Sequence, residues 1–133
     1  MRVLVIDDSL TLRSLLRLHL SRTPDREVLF AENGQDAIRC IRESGSPDLI
    51  LLDINMPVMN GLEFLKLRES NGISTSIPVI IVTTEGKDED VQRGLAAGAR
   101  AYLRKPFTAR DLEGAIAQAL GSVGGQPQTP GGS

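Results

Sequence analysis

The chain is short of several things that usually announce a function. It has one cysteine, Cys40, and one histidine, His19, in 133 residues. A lone cysteine closes no internal disulfide, which fits a reducing compartment. Cys40 itself reads as a small hydrophobe on a helix. His19 lies among leucines and reads as a helix-face residue. No apolar stretch approaches the ~18–20 residues that span a bilayer. There is no basic excess either: the net charge is −2, which argues against a nucleic-acid binder. Arg13, Arg17, Arg22 and Arg26 form a basic run that reads as a solvated face. The N-terminus opens on a strand-like run and lacks the basic start, apolar core and cleavage site of a signal peptide. We therefore expect a cytoplasmic protein with no membrane contact and no direct nucleic-acid binding.

What is present is ordinary in bulk. Hydrophobic residues make up 41% and charged residues 24%, as in soluble globular proteins. The length suits one domain with a core that needs no disulfide or structural metal. Strand-like runs fall near 2–7, 27–31, 48–53, 78–83 and 100–104. Helical spacing fills the gaps. The first helix follows Ser9, a plausible N-cap, and carries Leu12, Leu15, Leu16 and Leu20. The second follows Asn33-Gly34 and buries Ala37, Ile38 and Ile41. The third runs over about 59–69 with Leu62, Leu65 and Phe64 inward. The fourth, about 87–97, is weakly marked because it is charge-rich and holds Gly94. The fifth starts at Thr108, where Asp111 offers a variant of the capping box. Its inward face is Leu112, Ala115, Ile116, Ala119 and Leu120.

The first, third and fourth strands are continuous apolar runs. Such strands are buried on both faces, the habit of a parallel sheet between two helical layers. Alternating βαβ units then imply a doubly wound α/β fold with a five-stranded parallel sheet. After Gly121 the chain turns to Gly, Pro, Ser and Gln. We expect 1–121 to be one domain and 122–133 a disordered tail or linker.

In such sheets ligands sit beyond the carboxyl ends of the strands, and the polar residues collect there. Asp7-Asp8 closes the first run, Asp53 the third and Thr83 the fourth. Tyr102 and Lys105-Pro106 lie on and just past the fifth. Three carboxylates in one pocket repel unless one is protonated or a cation sits among them. Oxygen ligands alone suit Mg²⁺ or a similar hard ion. An ionised aspartate can act as nucleophile and form an acyl phosphate, with the cation and Lys105 neutralising phosphoryl oxygens. Taken singly each residue has a plainer explanation. Asp7-Asp8 fits helix capping and loop solvation, Thr83 ends a strand, and Lys105 is a surface lysine before a turn proline.

Val-Ile-Asp7-Asp8-Ser9, Leu-Asp53-Ile-Asn55-Met56-Pro57-Val-Met59-Asn60-Gly61, Val82-Thr83-Thr84-Glu85 and Tyr102-Leu-Arg-Lys105-Pro106-Phe107 together resemble the two-component response regulator receiver domain. The likeness spans about 2–120 and is nearest to the single-domain, CheY-like chemotaxis regulators. It implies strand order 2-1-3-4-5. It implies that Asp53 accepts phosphate from a histidine kinase, and that Asp8 and Asp53 bind Mg²⁺, or Mn²⁺ in its place. Asp7 assists through water and the Asn55 carbonyl completes the site. It implies that Lys105 pairs with the phosphoryl group and is joined to Pro106 by a cis bond. Thr83 moves toward the phosphoryl group and Tyr102 swings inward, a two-state shift. Taken alone, Tyr102 is an ordinary strand aromatic. Asn55 and Glu85 tune dephosphorylation, and the fourth helix, fifth strand and fifth helix form the surface for a downstream protein. Thr84 is bulkier than the residue usual there, which bears on access to the site. The protein is then a switch that performs only its own phosphoryl transfer and autodephosphorylation. The competing readings are a receiver fragment of a longer regulator with a DNA-binding or enzymatic output domain, a haloacid-dehalogenase-type phosphatase, and a receiver that folds without being phosphorylated.

Overall fold

A computed structural model describes residues 1–54, 61–84 and 88–121. Five strands, β1 (Arg2–Ile6), β2 (Glu27–Ala31), β3 (Leu49–Asp53), β4 (Val79–Thr84) and β5 (Ala101–Lys105), alternate with helices. The helices are α1 (Leu10–Leu20), α2 (Gly34–Ser44), α3 (Gly61–Leu67), α4 (Asp88–Ala96) and α5 (Ala109–Gly121). One 3₁₀ turn, Glu69–Asn71, follows α3. The sheet is parallel throughout, in the order β2-β1-β3-β4-β5.

The apolar runs divide by alternation. Leu4, Ile6, Ile50, Leu52, Val79 and Ile81 point into a core with α2 and α3, whose largest member is Phe64. Val3, Val5, Leu49, Leu51, Ile80 and Val82 point into a second core with α1 and α5. Cys40, half-buried, packs against the first core, and burial pushes its thiol pKa up. It is the helical hydrophobe the sequence suggests.

Local signals are realised at three helix starts. The hydroxyl of Ser9 accepts from Leu12 N–H, and the Asn33 side chain accepts from Asp36 N–H. Thr108 and Asp111 exchange two bonds of 3.0 Å, each side chain accepting from the other's backbone N–H. An aspartate therefore closes the capping box here, worth about 1 kcal/mol.

Four expectations change. Leu15 and Leu120 are 38% and 37% exposed. The inner line of α1 runs through Leu12, Leu16 and Leu20, and that of α5 through Leu112, Ala115, Ile116 and Ala119, which leaves both leucines on the flank. The basic run is not one solvated face. Arg26 makes two bonds to Glu113 at 2.8 and 2.9 Å, and Arg17 lies 4.9 Å from the centre of the Phe30 ring. Gly94 is no weakness in α4, because a Cβ there would collide with Ile81 Cδ1; the missing side chain lets the helix approach β4. The expected tail lies outside the described residues.

Candidate functional site

In a parallel sheet every strand ends at the same edge. Asp7 follows β1, and its N–H bonds Ala31 O at 3.0 Å, which extends the ladder one step. Asp53 ends β3 in register with Val82, and Lys105 ends β5 in register with Thr84. The turn into α1 then brings Asp8 alongside. One carboxylate oxygen from each of Asp7, Asp8 and Asp53 lies within 4.8 Å of the others. Asp7 and Asp53 are 2% and 5% exposed, while Asp8 faces solvent.

Lys105 Nζ sits 3.9 Å from both Asp7 Oδ2 and Asp53 Oδ1. That is too long for a hydrogen bond, so the ammonium acts as a shared counter-charge. Ser9 N–H donates to Asp7 Oδ1 at 2.8 Å. Asp7 Oδ2 is buried and has no hydrogen-bond partner among the described residues. Burial is the main reason its carboxyl pKa lies above the ordinary value. The Ser9 bond and Lys105 pull the other way, Asp8 pushes it further up, and Arg13 opposes. A buried carboxylate oxygen without a partner, beside two more carboxylates, is the electrostatic setting a hard divalent cation relieves. The donor set therefore fits Mg²⁺.

The structure brings together Asp7, Asp8, Asp53 and Lys105. Thr83 is fully buried on β4, one residue past the partner of Asp53. The Lys105–Pro106 bond is cis. Tyr102 is elsewhere: it points outward at 45% exposure, with the Arg104 guanidinium 5.4 Å from its ring centre. Asn55 and Glu85, and the side chain of Thr84, lie outside the described residues.

Two contributors were not legible as such. Gly61 N–H bonds Ile54 O at 2.9 Å, and a Cβ at Gly61 would lie 2.6 Å from Asp53 O and 2.8 Å from Ile54 Cα. Gly61 lies directly against the end of β3, and only hydrogen fits between. Ser9 was readable as a cap, but not as the donor that orients Asp7. The signal for both was present only as a residue type at a turn.

The response regulator receiver domain model matches residues 3–117. The chain belongs to the response regulator receiver domain family. This receiver is similar to the chemotaxis protein CheY1 of Helicobacter pylori, at 38% identity over 122 residues, covering 92% of this chain and 98% of that protein. It is similar in structure to the Vibrio cholerae chemotaxis protein CheY4, with TM-score 0.77 and 33% identity over 89% of this chain and 97% of that one. Brucella abortus NtrX also matches, with TM-score 0.81 and 26% identity, but there the receiver covers 92% of this chain and only 27% of the other. The doubly wound fold and its strand order are those of CheY-like receivers. Among the described residues no helix is long and apolar enough to cross a membrane.

Proposed function

We propose that this receiver is a phosphorylation-activated switch, with Asp53 as phosphoacceptor and a histidine kinase as donor. The observation that carries the reading is the buried Asp53 carboxylate, grouped within 4.8 Å with those of Asp7 and Asp8 and 3.9 Å from Lys105. A carboxylate oxygen of Asp53 attacks phosphorus, the P–N bond to the donor imidazole breaks, and a mixed anhydride forms on Asp53. The imidazole leaves with a proton from solvent. Asp7, Asp8 and Asp53 would hold Mg²⁺, or Mn²⁺ in its place, with the Asn55 carbonyl. Bound there, the cation neutralises phosphoryl oxygens. Lys105 supplies the fixed positive charge on the other side. Water attack on the anhydride resets the switch, and Asn55 and Glu85 tune that step.

The output is a change of surface. Thr83 turns toward the phosphoryl group, Tyr102 moves inward behind it, and α4, β5 and α5 present a new face to a downstream protein. The likeness to chemotaxis proteins such as CheY1 supports a role in chemotaxis or motility signalling, which we assign to the cytoplasm with residues 1–121 as the switching unit. The match to NtrX supports a second reading, a receiver that serves a longer regulator.

Incubation with Mg²⁺ and acetyl phosphate, followed by intact mass measurement, tests the assignment. Wild type gains one labile phosphate and Asp53→Asn gains none. Equal labelling of the two removes Asp53 from the role.

A further inference from the structure

The inward line of α3 is Gly61, Phe64 and Leu65, at positions i, i+3 and i+4. The next position on that line is 68, and it holds an arginine. Arg68 is 3% exposed. Its Nε and Nη1 are buried without a hydrogen-bond partner, and so is Nη1 of Arg100. Neither arginine has an ion pair among the described residues. Arg100 is anchored by its Nη2 bond to Ser76 O at 3.3 Å. The turn after α4 is cut to accommodate Arg68: Gly98 has φ +114°, and a Cβ on it would sit 2.7 Å from Arg68 Nη2.

The obvious local acceptors are engaged elsewhere. The last carbonyls of α4, those of Arg93, Gly94 and Leu95, accept from the N–H groups of Ala97, Ala99 and Gly98. Glu69, next in the chain, is exposed and makes no bond to either guanidinium. Arg68 Nη2 lies against Gly98, two residues before Arg100; burial first and the charge of Arg100 second lower the pKa of Arg68, with the charge of Glu69 opposing. Arginine does not escape by losing its proton. A buried guanidinium with two unpartnered donors, and a half-buried one of like charge with a third, call for an anion.

We propose that Arg68 and Arg100 form a binding site for a small oxyanion of the phosphate or carboxylate kind, at the amino ends of β4 and β5. Planar forks of N–H donors match the spacing of two oxygens on one centre, and match a halide poorly. Arg100 and Lys105 stand at opposite ends of β5, about 16 Å apart along the strand. The site is therefore separate from the acidic pocket and does not compete for its phosphoryl group.

The test uses the full chain, ¹⁵N-labelled, without Mg²⁺ and at constant ionic strength. Inorganic phosphate, acetate and chloride are titrated separately while the arginine Nε–H signals are followed. The Arg68 and Arg100 signals should shift saturably with phosphate, with acetate or with both, and not with chloride; which of the two acts identifies the source of the oxygens. Arg100→Met should weaken the response of Arg68 about tenfold or more. Lys105→Ala should leave it unchanged, which separates this site from the acidic pocket. Thermal midpoints give a second readout: the active anion should raise that of wild type and not that of Arg68→Met. Equal shifts with chloride, no saturable shift with any anion, or an unaltered response in Arg100→Met would each overturn the site and leave these donors to water.

Discussion

At the carboxyl ends of the strands, Asp7 and Asp53 are buried beside Lys105. At the amino ends, Arg68 is buried beside Arg100. Both places hold an ionic group with an unbonded polar atom. The difference lies in what surrounds it. Asp7 has a cation 3.9 Å away, a backbone donor on its other oxygen, and two more carboxylates within 4.8 Å. Arg68 has a second cation and no acid bonded to it. One end is a partly compensated cluster arranged around a space for one more positive charge. The other, among the described residues, is a pair of like charges opposed only by the exposed Glu69. Buried charge alone thus says little about chemistry, and the sign and number of its neighbours say most of it.

Four substitutions probe this contrast, beginning with the largest effect. Gly61→Ala should cost about 3 kcal/mol, because the new methyl meets backbone atoms of Asp53 and Ile54 that have nowhere to go. Phosphorylation by acetyl phosphate should slow with it. Urea unfolding checks the first part, and a variant as stable as wild type would mean the strand end is not held rigidly. Arg68→Met should raise stability by about 2 kcal/mol in low salt, since an apolar side chain of similar length replaces an unpaired charge. A loss of stability there would show that the guanidinium is satisfied after all, and the two ends of the sheet would be alike.

Asp7→Asn should stabilise the metal-free protein by about 1 kcal/mol near neutral pH while weakening Mg²⁺ binding in a fluorescence or calorimetric titration. The pH dependence follows from the direction of the shift. The folded state holds the Asp7 proton more tightly than the unfolded chain, whose value is near 3.8. Its contribution is therefore complete below 3.8 and is lost as pH rises through the higher folded value. Unfolding of wild type at a series of pH values should show this loss, and Asp7→Asn should not. The smallest effect is at Glu113. Its bonds from Arg26 hold its carboxyl below the ordinary 4.5, so the pair stabilises above 4.5 and the gain disappears as pH falls through the lower folded value. Glu113 is 46% exposed, so Glu113→Gln should cost less than about 1 kcal/mol at neutral pH. That loss should fade in acid.

The contrast between the ends also marks what a reader of the sequence can see. Strands β1, β3 and β4 were legible because a strand buried on both faces has no polar position to interrupt it. The acidic pocket was legible because Asp7-Asp8 and Asp53 close such runs, Lys105 ends the weaker fifth strand, and parallel topology sends every end to one edge. Arg68 was not legible. Its spacing from Phe64 and Leu65 points inward, but its charge points outward, and periodicity does not decide between them. Leu15 and Leu120 failed for the opposite reason: they are apolar and adjacent to the inner line without being on it. Gly61 was visible as a residue but not as a clearance, because nothing in one dimension reveals which backbone passes overhead.

The paired bonds from Arg26 to Glu113 have a mechanical corollary. They tie α5 to the segment just ahead of β2. The exchanged bonds of Thr108 and Asp111 cap the start of the same helix. By contrast, α4 lies over β4 with Gly94 directly against Ile81 and no side chain between them.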